Sequence, residues 1–304
     1  MKQHFMDIFT RNIPDKMDIM FDSFINYRIS DCFDSFFESI IDLVKIRPFT
    51  KKYIYKLLFI ANDKLQMPIS KFTDFLLNTT MESKSGIEDN LASIHIIYCL
   101  YYENIYDISE IWDIITDIDN VQQIPFYLLF LFLSDQFFHL KAHFPSILQI
   151  IEKMKNIPEP LLFFHSNKIT LLPKINEIID YGWEKSSLGY IIKYDDIQSL
   201  REHFQNPDFN PEKRLPLSFG ETCPYIQRST LLQYSAYCCS INCFKSLLLI
   251  TPNPITLPLY AIAGGNYDII RISCTDQREN HYFLKLARQF QRPELLEWFI
   301  QKSA

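Results

Sequence analysis

One pattern returns three times at a single step between residues 230 and 300, and it restricts the fold more than any other feature of the chain. Thr230-Leu231-Leu232-Gln233-Tyr234-Ser235-Ala236, then Cys243-Phe244 and Leu247-Leu248, holds the same relative places as Thr256 to Ile262 with Ile269-Ile270. The same places recur in Tyr282 to Arg288 with Leu295-Leu296 and Phe299. The step is 26 residues both times, the interval from Ser235 to Ala261 and from Ala261 to Ala287. A small residue eight places before a bulky pair suits two packed antiparallel helices, with close approach on the first and anchors on the second. Self-similarity at a period of about 20 to 50 residues is the signature of stacked helical repeats.

These residues resemble ankyrin repeats. The opening motif of that family is matched by Thr230 to Ala236, and its inter-helix turn by Gly265-Asn266 before Asp268-Ile269-Ile270. An earlier copy lies at Gly189 to Leu200, where Ile191-Ile192 precede Asp195-Asp196 and Ile197 to Leu200. The wording is similar to divergent ankyrin proteins of large families in single-celled eukaryotes, and the resemblance covers about residues 186 to 301. It implies an all-α fold, a helical solenoid with ankyrin-like repeats in the C-terminal part. The step is about seven residues shorter than the usual ankyrin length, which implies that the projecting hairpin finger is missing or stunted. Cys239 and Gln291 stand where the third copy carries its turn glycine, Gly265.

Composition agrees with helices. Of 304 residues 48% are hydrophobic, with 26 Phe and 17 Tyr, enough apolar surface to offset the entropy of ordering the chain. Six glycines are too few for hairpin-rich β folds or glycine-rich phosphate loops. The net charge of −6, with acidic and basic residues interleaved, offers no electrostatic footprint for a phosphate backbone, so nucleic acid is not expected as a partner. Met1 to Asp7 lacks a basic start followed by an apolar stretch, and seven scattered cysteines suit reduced thiols, so an intracellular, cytoplasmic location is expected. The Asn78-Thr79-Thr80 sequon is then idle.

Along the first half, apolar residues recur at helical spacing. Phe33, Phe36, Phe37, Ile40, Ile41 and Val44 form a stripe within Asp31 to Ile46, stopped by Pro48. Tyr53 to Ala61, Ile69 to Leu77 after Pro68, a capping box at Ser85 to Glu88, and Asp107 to Ile115 continue the series. The longest apolar run, Ile124 to Leu133, falls well short of the roughly 18 residues that suggest a membrane span and reads as a buried helix. Residues 1–182 therefore read as an irregular helical array, either degenerate ankyrin-like pairs or an unrelated helical cap, and 183–304 as divergent ankyrin-like repeats, without a flexible linker between them. Asn206 to Arg228, with Pro207, Pro211, Pro216 and Pro224, is an extended insertion that either contacts a partner or connects elements across the surface.

Sites of chemistry are sparse. His139 and His143, four apart with Asp135 one turn earlier, have the spacing of a helical metal site and also of an ordinary polar stripe. Cys238, Cys239 and Cys243, with Cys223 and Cys274 farther off, are the densest thiol group, but their places in the repeat fit small buried side chains better than zinc ligands. There is no Gly-x-Ser-x-Gly elbow, and neither a catalytic residue nor a cofactor is expected.

The chain thus reads as a non-enzymatic module that binds another protein on the surface of stacked repeats. The alternative is a metal-dependent enzyme with its site around Asp135, His139 and His143. By resemblance, partner contacts would fall just before each opening residue and at the end of each first helix. Those positions are Gln227, Ser229 and Tyr237, then Asn253 and Ala263, then Glu279, His281 and Gln289.

Overall fold

The computed structural model describes residues 33–46, 75–76, 92–93, 95–97, 100, 177–178, 181–216, 218, 220–226, 228–252, 254–275 and 279–303. The readings for Asp135, His139, His143, the Ile124 to Leu133 run, Gln227 and Asn253 lie outside these residues. Helix α1 spans Phe33–Ile46 and buries Phe37, Ile40, Ile41 and Val44, members of the apolar stripe in its sequence. Ala92, His95, Ile96, Ile97 and Leu100 are helical and buried, and the Phe37 and Phe75 rings meet at 5.4 Å.

From residue 188 onward the chain runs as four helix pairs. They are α2 (Leu188–Lys193) with α3 (Ile197–Phe204), and α4 (Leu231–Tyr237) with α5 (Ile241–Leu248). Next come α6 (Leu257–Gly264) with α7 (Tyr267–Ser273), and α8 (Asn280–Gln289) with α9 (Pro293–Ser303). First helices pack in sequence, α2 on α4, α4 on α6 and α6 on α8, while second helices pack α3 on α5 and α5 on α7. Among the described residues there is no β-strand, only a single bridge between Arg214 and Thr230, and no helix is long and apolar enough to cross a membrane.

The repeating positions account for this packing. Ser235, Ala261 and Ala287 are wholly inaccessible to solvent, as are Cys243, Phe244, Ile269, Ile270 and Leu295. Small side chains let neighbouring helices approach closely, and each large apolar side chain so buried contributes about 1.5–3 kcal/mol. The last pair differs on its outer side: Lys285, Arg288 and Gln289 are exposed, where the copy 26 residues earlier carries Leu259 and the buried Ile262 and Ala263. That polarity matches a face that meets water at the end of a stack.

Every turn between the two helices of a pair uses a left-handed residue at the same place. Asp195 (φ 55°), Cys239 (63°), Gly265 (91°) and Gln291 (51°) are the four. At Asp195, Cys239 and Gln291 the turn closes with two bonds. Its own N–H donates to Ile192, Ala236 or Arg288, and the next N–H donates to Ile191, Ser235 or Ala287. Paired bonds of this kind satisfy carbonyls that a helix end leaves without partners. Gly265 uses the simpler single bond, its N–H donating to Ala261.

Caps then couple one pair to the next. The Asp195 carboxylate accepts from the backbone N–H groups of Asn242 (3.2 Å) and Cys243 (2.8 Å), capping α5, whose own Ser240 makes no cap bond. Thr230 and Gln233 form a reciprocal capping box on α4, and the Gln233 amide also donates to the Thr256 hydroxyl at 2.8 Å. Arg292, from the fourth pair, donates to the carbonyls of Ala263 (2.7 Å) and Gly264 at the end of α6.

Candidate functional site

The surface expected to bind a partner is built from the ends of the first helices. Lys193 ends α2, Tyr237 ends α4, Ala263 lies at the end of α6 and Gln289 ends α8. The chain covers most of this surface itself. The insertion, read from the sequence as a partner contact or a surface connector, is exposed over most of Asn206 to Pro216 but turns inward afterwards. Ser218, Glu221, Thr222, Cys223 and Ile226 are all buried. Residues 220–226 thus form a strap, with a short 3-10 turn at Pro224–Ile226.

Glu221 anchors the strap. Its carboxylate pairs with the Lys193 ammonium at 2.5 Å and accepts from the Tyr234 hydroxyl at 2.8 Å. Tyr234 in turn accepts from the Trp183 indole N–H at 2.7 Å, with the two rings edge to face. The Lys193 and Glu221 side chains are 4% and 6% exposed, so the charges meet away from water and depend on this full set of partners. Farther along, Cys223 lies against Tyr237, Tyr225 packs edge-on against Phe290 at 5.3 Å, and Tyr260 lies near Arg214 and Cys223. The strap therefore touches the first, second and fourth helix pairs. On its other side the Thr222 hydroxyl donates to the Val44 carbonyl of α1 at 2.6 Å, joining it to the first half of the chain.

Burial governs the chemistry of these groups. Desolvation drives the Tyr234 and Tyr237 hydroxyls and the Cys238 thiol well above their ordinary ranges, and raises the Cys223 thiol to about 11. Cys243 is raised by burial and by the neighbouring Asp195 carboxylate, and Cys274 reaches about 12 through burial. Protonated, buried thiols behave as small apolar side chains. Among the described residues no group of three or more His, Cys, Asp or Glu side chains is placed to hold a metal ion.

Three of the expected contact residues are buried in this arrangement. Ser229 and Tyr237 are 1% exposed because the strap closes beside the first and lies over the second. Ala263 is 1% exposed because Arg292 reaches across to its carbonyl. Glu279 is half-buried at the start of α8, and His281 and Gln289 are exposed. The positions therefore do not form one open row. The residues the sequence reading passed over are Lys193, Glu221, Tyr234 and Trp183. Lys193 carries a faint signal: it is a lysine at the helix-end place that holds Tyr237 and Ala263 in the next two copies.

Among the described residues the two most exposed large apolar side chains lie elsewhere, although Tyr225 of the strap is itself 43% exposed. Leu249 (87% exposed), Ile250 and Ile255 (85%) flank the connection between α5 and α6, and Ile255 holds the repeat position of Ser229 and His281. Comparison with protein-family models, with curated proteins and with solved structures finds no match to this chain.

Proposed function

We propose that the chain is a divergent ankyrin-like solenoid that binds another protein without catalysis, acting as an adaptor inside the cell. The observation that supports this reading is the fourfold recurrence of one helix pair, each closed by a left-handed turn and stacked on the next. Stacking of that kind lines up equivalent positions from successive pairs, so that a rim of side chains can meet one partner. The strap and Arg292 cover the helix ends of the second and third pairs. The free rim is accordingly the connection side, where Leu249, Ile255 and His281 stand exposed. Large exposed aliphatic groups at neighbouring positions are the usual mark of a protein-binding patch.

Affinity capture with the immobilised full chain tests this, with Leu249→Asp/Ile255→Asp as the comparison and equal melting temperatures as the control for folding. A defined partner held by the wild type and released by the double variant is the expected result. Identical captures on both chains, or none above bare resin, would remove the reading.

A further inference from the structure

We propose that the ends of α2, α4 and α8 form a binding site for a peptide segment that carries a carboxylate with an aromatic ring four places on, and that the chain's own residues 220–226 fill it in cis. Use of the site by a partner rests on the interaction-module reading, whereas the chemistry of the site does not.

The receptor is made of helix residues, and its occupant comes from the insertion. Lys193 supplies a positive charge, the Tyr234 hydroxyl supplies a second donor to the same carboxylate oxygen, and Trp183 holds that hydroxyl in place. A charged and a neutral donor converging on one oxygen make a carboxylate receptor, stronger than either contact alone. Four residues beyond Glu221, the Tyr225 ring sits edge-on to Phe290, a second anchor at the far end of the row. The segment Glu221-Thr222-Cys223-Pro224-Tyr225 thus reads as a ligand sequence: a carboxylate, then an aromatic ring four places on.

The occupant packs through its side chains, with Cys223 and Ile226 buried in the same apolar cluster as the helix residues beneath them. The Glu221, Ile226 and Ser229 amides donate locally to Ser218, Cys223 and Ile226, and the strap grips the helices through side chains. Its loop is closed at the neck, where Leu215 N–H donates to the Ser229 carbonyl and Arg214 bridges Thr230. A loop that leaves and returns at one point can open as a unit while the helices beneath stay paired. A trans segment of the same chemistry then competes with an effective local concentration rather than with the fold.

The test is fluorescence anisotropy with a labelled synthetic peptide of residues 216–228, titrated with the full chain as wild type and as Glu221→Ala/Tyr225→Ala. The peptide should bind the double variant at least tenfold more tightly than the wild type. The same peptide carrying E221Q should bind the variant at least tenfold more weakly. A cooperatively melting variant that binds neither peptide, or both alike, overturns the proposal, as does equal binding by variant and wild type. Native-state amide exchange on the wild type gives a second measurement that needs no variant. The amides of Glu221, Thr222, Cys223 and Ile226 should exchange at least tenfold faster than those of Leu232 to Tyr237, and matching rates overturn the proposal. Peptide binding without any rim-dependent partner would sink the adaptor reading while leaving the receptor intact. A rim-dependent partner without peptide binding would do the reverse.

Discussion

Replacing Gly265 with alanine probes the turn and the inter-pair clamp at once. Gly265 has φ 91°, and a Cβ built there would lie 2.5 Å from the Arg292 guanidinium carbon and 2.7 and 2.8 Å from its terminal nitrogens. The left-handed backbone alone costs an L-residue about 1–2 kcal/mol. The guanidinium must also move, which frees the buried carbonyls of Ala263 and Gly264 at about 1–3 kcal/mol for unmet hydrogen bonds. Gly265→Ala should therefore lose about 2–5 kcal/mol, which for a chain this size lowers the melting temperature by about 5–15 °C. Urea titration of a double-mutant cycle with Arg292→Met separates the two effects. Without the guanidinium, Gly265→Ala should fall to the backbone cost of about 1–2 kcal/mol. A single-variant loss below about 0.5 kcal/mol refutes the reasoning, and so does a cost that stays the same when Arg292 is gone.

Further outcomes follow from the same geometry. Cys239→Gly removes a side chain from a left-handed position (φ 63°) and should raise stability by about 0.5–1 kcal/mol in urea titration, net of the added flexibility of the unfolded chain. Iodoacetamide labelling at pH 8 with peptide mapping should modify the half-buried Cys239 before the other four described cysteines, leaving Cys223, Cys238, Cys243 and Cys274 protected until unfolding because burial raises their thiols. Asp196→Ala should cost about 0.5–1 kcal/mol at pH 7, since the carboxylate caps α3 at an exposed position. The Ser199 hydroxyl and amide hold that carboxyl below its usual range. Its contribution is thus complete above about pH 5 and fades as pH falls through the folded value, so wild-type and variant melting temperatures should converge in acid.

Much of the helical C-terminal region is legible in the sequence because its determinants are local and periodic. A small residue followed eight places later by a bulky pair specifies contact between two helices close in the chain, and Ser235, Ala261 and Ala287 lie buried where those helices meet. The capping box of Thr230 and Gln233 is equally local, although the repeat motif that contains both residues does not single it out. The turns are legible only in part. Gly265 carries a conformational signal and Asp195 a weaker one, whereas Cys239 and Gln291 adopt the same left-handed geometry with side chains that do not favour it. Packing of the flanking helices imposes the conformation there.

The candidate site divides the same way. From the sequence by itself come the helical class and the 26-residue beat, both of them consequences of residue type at regular intervals. Tertiary structure alone decided that Tyr237 and Ala263 are covered and that Glu221 meets Lys193, 28 residues away. The insertion has no period to betray which of its residues turn inward. A buried charge finds its partner by three-dimensional proximity, and nothing in local spacing encodes that pairing.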